Sequence, residues 1–230
     1  MNRRPAIIVF AREPMAGAVK TRLIPRIGSN NAAALADAFL RDALVKARTL
    51  STRLAIAATT PEGAARSGYF RAMAKRFGAD LLDQGDGHLG VRMRRALEPY
   101  ARDGAVLIGT DTPSIPAAMI ARCAAMLRQA PVVLGPSLDG GYYLIGVRGA
   151  MPDVFRGVRW GGARVLEQTL ARLRRERTPY ALGPSWYDVD RWSDLMLLGA
   201  HLALLIERGS NPCPESARLL TRLGLLPGRG

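Results

Sequence analysis

Four short segments carry residues whose types and spacing could do chemistry. The first is a long connection over residues 12–25, punctuated by Pro14, Gly17 and Pro25 and carrying Arg12, Lys20 and Arg22. Cations presented on such a loop suit a diphosphate, and they also suit a plain solvated loop. Lys20 follows Val19 rather than a glycine, and Gly17 stands alone, so neither a Walker loop nor a GxGxxG loop is present. The second is Gly109-Thr110-Asp111-Thr112-Pro113, where a carboxylate after an apolar run can hold a hard cation such as Mg²⁺ or Mn²⁺ or cap a turn.

The third segment is Gly135-Pro136-Ser137-Leu138-Asp139-Gly140-Gly141-Tyr142-Tyr143. Its paired glycines allow close approach to a ligand and also serve a hairpin turn, with Asp139 at the turn mouth. The fourth is Tyr187-Asp188-Val189-Asp190. In an extended chain, residues two apart project to one face, so both carboxylates would point together. Paired carboxylates repel unless a cation or base shares them, and Asp190 could instead cap the helix that follows. His88 and His201 read as structural or surface residues, and Trp160, Trp186 and Trp192 as packing residues. Ser137 has no histidine nearby in sequence and no GxSxG around it, so serine hydrolysis has no support.

These segments need elements to hold them. Apolar runs at 6–11, 53–59, 81–82, 105–109, 132–134 and 142–147 predict strands. Helices are predicted at 29–48 with Ser29 as N-cap, from Pro61 to near Gly78, and at 88–102 and 116–129. After Gly149 the pattern is mostly helical, at 163–177, 192–207 and 215–224. Strands alternating with helices imply a parallel sheet covered on both faces. The connection across Gly140-Gly141 is too short for a parallel crossover, so one antiparallel strand is expected. No linker, repeat or low-complexity tract divides the chain, and one α/β domain over 1–230 with a helical C-terminal section is expected. The first three candidate segments then follow a strand, where open α/β sheets bind ligands.

The 230 residues are 48% hydrophobic and 23% charged, which excludes a disordered or collagen-like chain. Two cysteines, Cys123 and Cys213, cannot build a disulfide framework, and neither has a CxxC partner for zinc. A reducing, cytoplasmic setting is the expectation, with no membrane span. Net charge is +14, yet only Lys20, Lys46 and Lys75 are lysines among 33 basic residues. Arginines spread along the whole chain without interleaved aromatics fit codon composition better than a nucleic-acid surface, so no specific nucleic acid is expected.

Phe10-Ala11-Arg12, Pro14, Gly17, Val19-Lys20-Thr21-Arg22-Leu23 and Pro25 together resemble the start of the DUF2064 family. Its members are also called radical-SAM/selenodomain-associated transferase 1 or arsenosugar-biosynthesis-type glycosyltransferases. Leu89-Gly90-Val91-Arg92-Met93, Gly109 to Pro113, Gly135 to Gly146 and Asp188-Val189-Asp190 match its pattern in order. The resemblance spans roughly residues 5–195. The family is similar to the GT-A (Rossmann-like) nucleotide-diphospho-sugar transferase fold, a three-layer α/β/α arrangement shared with molybdenum-cofactor and phospholactate guanylyltransferases.

The resemblance implies a glycosyltransferase that uses a nucleotide-sugar donor and Mg²⁺ or Mn²⁺. It implies nucleotide contacts from Ala11, Arg12, Gly17, Lys20, Thr21, Arg22, Gly90 and Arg92. Asp111 would hold the metal and serve catalysis, with Asp139 orienting or deprotonating a small-molecule acceptor beside Gly140, Gly141 and Tyr142. GT-A enzymes often carry Asp-x-Asp after the central strand. Here the step is Asp111-Thr112-Pro113, so a second metal ligand is expected from Asp188 or Asp190. A Trp-Ser-Thr-like step of the family is replaced by Trp160-Gly161-Gly162, which removes a hydroxyl cap. Nucleotidyl transfer from a nucleoside triphosphate to a small phosphorylated or cofactor acceptor is the alternative activity. A non-catalytic nucleotide-binding module is the alternative outside enzymes.

Overall fold

The computed structural model describes residues 4–226. Seven strands form one sheet: β1 (Ala6–Arg12), β2 (Leu54–Thr59), β3 (Asp80–Asp83), β4 (Ala105–Ile108), β5 (Val132–Pro136), β6 (Tyr142–Val147) and β7 (Tyr180–Leu182). Their order across the sheet is β3-β2-β1-β4-β6-β5-β7. All pairs are parallel except those of β6, which runs antiparallel to both β4 and β5. The short link between β5 and β6 forces that reversal, as the sequence predicts.

Helices α1 (Ile24–Ile27), α2 (Ser29–Leu50), α3 (Gly68–Phe77), α4 (Leu89–Leu97), α5 (Ala117–Met126), α6 (Val165–Arg175), α7 (Trp192–Glu207) and α8 (Pro214–Arg222) complete the chain. Strand residues alternate between two apolar layers. Ile7, Val9, Ile56, Val106 and Ile108 pack beneath α2, α3 and α5. Ile8, Ala55, Ala57, Leu107 and Ile145 pack on the opposite face with α4 and α6. A third cluster joins Leu35 and Phe39 of α2 to Leu195, Leu198 and Leu202 of α7 and Leu219 and Leu220 of α8. Each fully buried Leu or Ile contributes roughly 1.5–3 kcal/mol by leaving water, so this outer layer fixes the C-terminal helices on α2.

Several boundaries differ from expectation. Ser29 is the first helical residue rather than the N-cap. Gly28 takes the cap position at φ 79°, which brings the chain from α1 into α2 in a conformation glycine adopts without strain. Pro61 lies in a turn, and α3 begins only at Gly68, where Ser67 Oγ accepts from the Phe70 amide at 3.2 Å. The helix expected to reach residue 102 ends at Leu97 in a 3₁₀ turn, Glu98–Tyr100. Strand β7 is too short for its alternation to show in the sequence. The α6 start has no side-chain cap; its N-cap is Arg164, two residues beyond Gly161-Gly162.

Candidate active site

The carboxyl ends of the parallel strands open into two chambers that share Phe10, Arg22, Thr110, Asp111 and Asp190. The first, of about 510 Å³, lies over β1 and β2 and carries Arg12, Lys20, Arg22 and Arg92. The second, of about 840 Å³, lies over β4 and β6 and carries Asp111, Asp139, Asp188, Asp190 and Asp194 with Arg22 and Arg191. A basic chamber thus meets an acidic one along the line of Asp111 and Asp190.

Arg92 enters the first chamber from α4, its guanidinium 5.7 Å from the Phe10 ring centroid. It donates to Gln84 Oε1, and its Nε is buried without a partner. Burial holds the Arg92 pKa below its ordinary value, and the positive charges of Arg12 and Arg95 push the same way. Cations gathered in one cleft with a donor unspent favour an anion between them. Gln84 was not a sequence candidate. It is buried just past β3, and its Nε2 donates to the Ala11 carbonyl at 2.9 Å and the Ala57 carbonyl at 2.8 Å. It ties two strand ends together and supports Arg92.

Lys20 stands at φ 46°, a left-handed conformation rare for a residue with a side chain. Its side chain is 6% exposed. The ammonium donates to Asp111 Oδ1 at 2.5 Å, the Val189 carbonyl at 2.7 Å and Asp190 Oδ1 at 3.0 Å. Burial alone would lower its pKa, but the two carboxylates outweigh burial and hold it above the ordinary value. The loop after β4 and the segment before α7 are joined beside it, where the Val189 amide donates to the Asp111 carbonyl at 2.8 Å.

The structure brings Asp111 and Asp190 to one point and leaves Asp188 apart. Asp188 Oδ1 accepts from Ser137 Oγ, the serine with no sequence signal. Its pKa is pushed up to about 6, chiefly by burial, with Asp139, Asp190 and Asp111 adding to the Ser137-opposed shift. Asp190 does not cap α7, because Asp194 Oδ2 accepts from the Arg191 amide at 2.8 Å. Asp139 serves the turn, its Oδ1 accepting from the Gly141 amide at 2.8 Å, and it also lines the acidic chamber with Gly141 and Tyr142. Gly140 lies behind them at φ 90°; a Cβ there would stand 2.0 Å from the Ala163 carbonyl oxygen.

Ala11 and Thr21 line the basic chamber, whereas Gly17 and Gly90 line neither. Gly90 serves packing, since a Cβ there would stand 2.6 Å from the Trp160 ring. His201 is tied to Tyr187, its Nδ1 2.8 Å from the phenol oxygen, and Ser114 Oγ donates to that oxygen at 2.8 Å.

The donor chemistry at the junction fits a hard divalent cation. Asp111, Asp190 and the Val189 carbonyl offer only oxygen, and a cation, the Lys20 ammonium, already satisfies all three. Among the described residues no three His, Cys, Asp or Glu side chains converge on one point. A metal held by two carboxylates would therefore take its remaining oxygens from substrate phosphate and water, as Mg²⁺ commonly does. No helix of the described residues is long and apolar enough to cross a membrane.

Several solved structures resemble this chain in fold. A proposed nucleotide-diphospho-sugar transferase of Desulfovibrio desulfuricans G20 is 31% identical, with a TM-score of 0.83, over 97% of this chain and 96% of that one. A cytidylyltransferase of Leptospira borgpetersenii serovar Hardjo-bovis (strain JB197) is 13% identical, with a TM-score of 0.54, over 99% and 98%. A CMP:2-keto-3-deoxy-manno-octonic acid synthetase complexed with CTP is 12% identical, with a TM-score of 0.53, over 85% and 96%. The last two likenesses are of fold. No curated protein matches the chain. The family model described as "Uncharacterized protein conserved in bacteria (DUF2064)" matches residues 40–162. With that match across the central strands and the first relative spanning nearly all of the chain, the protein belongs to the DUF2064 family.

Proposed function

We propose that this chain is a metal-dependent transferase acting on a nucleotide-sugar donor. The observation that carries this reading is the division of one cleft into a basic and an acidic chamber with two carboxylates at the boundary. In it, Arg12, Arg22 and Arg92 hold the donor's phosphates, and Thr21 and the Ala11 backbone edge line the nucleotide side. Asp111 and Asp190 hold Mg²⁺ or Mn²⁺, which when bound neutralises charge on a diphosphate leaving group. The sugar and acceptor lie in the second chamber beside Gly141 and Tyr142, and Asp139 orients or deprotonates the acceptor. The 31%-identical relative, itself a proposed nucleotide-diphospho-sugar transferase, supports the donor class.

The test is calorimetry with ADP, CDP, GDP, UDP and dTDP in the presence of Mn²⁺, followed by incubation with the matching nucleotide sugars. Sugar transfer or slow donor hydrolysis releases a nucleoside diphosphate, whereas nucleotidyl transfer consumes a triphosphate and releases pyrophosphate. Asp111→Asn is expected to lower turnover by about two orders of magnitude, about 2.7 kcal/mol, with the fold intact. Failure of every nucleoside diphosphate to bind would sink this reading.

A further inference from the structure

We infer that Lys20 is a resident counter-cation that competes with a divalent metal for Asp111, Val189 and Asp190, so that metal binding is coupled to the departure of its ammonium toward phosphate. The inference rests on the reading of the cleft as a nucleotide and metal site. It adds an order of events and a role for Lys20 that a phosphate-binding lysine would not have.

Donor arithmetic constrains Lys20. An ammonium has three N–H donors and no more. Lys20 directs them at three protein oxygens, at 2.5, 2.7 and 3.0 Å. None is left for a phosphate oxygen, although Lys20 lines the basic chamber. The side chain can hold the carboxylates or reach a phosphate, but not both.

The carboxylates have a matching constraint. Asp111 and Asp190 belong to segments far apart in sequence and turn one oxygen each toward the same nitrogen. Without a cation between them they repel. When Lys20 leaves, the vacated oxygens require another cation, and their hard chemistry selects a divalent metal. Binding of phosphate and of metal therefore assist each other, and linkage makes the assistance reciprocal.

The backbone agrees with a residue held in place by its side-chain contacts. Lys20 keeps φ 46° with a long unbranched side chain, a conformation that is unfavourable at a non-glycine residue. The ammonium also lies 5.3 Å from the Phe39 ring centroid. Asp111 and Asp190 remain half exposed to the cleft, at 50% and 44%, while Lys20 is covered. The carboxylates thus face incoming ligand while the lysine fills the floor.

The test uses metal alone. Mn²⁺ binding to nucleotide-free protein is followed by the loss of the free-ion electron paramagnetic resonance signal, in wild type, Lys20→Met and Arg22→Met. Lys20→Met is expected to bind Mn²⁺ tighter than wild type by about tenfold or more. Arg22→Met removes a cation from both chambers without freeing either carboxylate, and should change the affinity by no more than about twofold, as a screened charge in an open cleft does. Adding Asp190→Asn to Lys20→Met should abolish the gain. Thermal unfolding checks each fold, and Lys20→Gln replaces Lys20→Met if the latter is unfolded. Equal affinity in wild type and the Lys20 variant, whether both bind or neither does, would overturn the inference. So would an equal gain in Arg22→Met, or a gain that survives Asp190→Asn. Because no nucleotide is present, these outcomes are separate from success or failure of the donor screen.

Discussion

The Lys46 ammonium, buried on α2, donates to the carbonyl of Pro113, two residues beyond Asp111. The loop that presents Asp111 is therefore anchored from below by a helix as well as by the strand that leads into it. Burial lowers the Lys46 pKa, and Cys213 and Asp42 oppose that shift.

Lys46→Met keeps the length of the stem and removes the donor. The Pro113 carbonyl is then left without its partner in a covered site. Stability should fall by about 1–3 kcal/mol, read as a lower urea midpoint with an unchanged slope. A variant as stable as wild type would show that the contact contributes nothing.

Gln84→Leu should act at two levels. It removes hydrogen bonds to the ends of β1 and β2 and should cost about 1–3 kcal/mol of stability. It also frees Arg92 from its support. Affinity for inorganic pyrophosphate, measured by calorimetry on folded protein, should drop roughly fivefold, about 1 kcal/mol. Undiminished pyrophosphate affinity would remove Gln84 from the site.

Gly140→Ala places a Cβ against the Ala163 carbonyl in a backbone conformation unfavourable for alanine. The Gly140 carbonyl also accepts from the Leu166 amide at 2.9 Å, so movement there displaces the start of α6. The cost should be about 2 kcal/mol or more, seen as a lower thermal midpoint. Gly17→Ala meets no atom within 4 Å and should cost less than Gly140→Ala, so it serves as the comparison for the left-handed backbone alone.

Asp188 gives a pH signature. Its folded pKa, pushed up to about 6, lies above the ordinary 3.8. The folded protein therefore binds more protons than the unfolded chain between those values. This residue's contribution to stability is full below about 3.8 and is lost as pH rises through about 6. Asp188→Asn should flatten that part of the stability profile, measured as urea midpoints from acid to neutral pH. An identical profile in both proteins would refute the assignment.

Much of the site was legible because its residues follow strands. Arg12 and Asp111 come directly after apolar runs, and the reversal at Gly140-Gly141 follows from loop length alone. What was hidden is pairing across the chain. A lysine in a basic loop reads as a phosphate contact or a solvated residue, and nothing local to Lys20 reveals two aspartates from distant segments. Gln84 is one amide after a short strand, with no spacing to distinguish it. The choice between Asp188 and Asp190 could not be made from their shared face. Ser137 takes one and Lys20 the other, and both partners lie far off in sequence. The shifted starts of α2 and α3 have a local cause, since glycines at positive φ, Gly28 and Gly63, set the turns that precede them.

The reversed direction of β6 has a consequence for how members of such a family can diverge. Its end, Val147, lies at the rim away from the cleft, where Arg148 and Gly149 bond to the Pro131 and Ala101 carbonyls. The chain must then travel back before α6 can begin, and it does so without strand or regular helix, through Val154, Phe155 and Trp160. No strand register depends on this return path, yet its last stretch walls the acidic chamber. Outside the buried Val154 and Phe155, length and side chains can change along it while the sheet, the basic loop and the Asp111 turn stay fixed. One half of the cleft is thereby insulated from variation in the other, and the shape of the acidic chamber can be altered by rewriting a single stretch of chain.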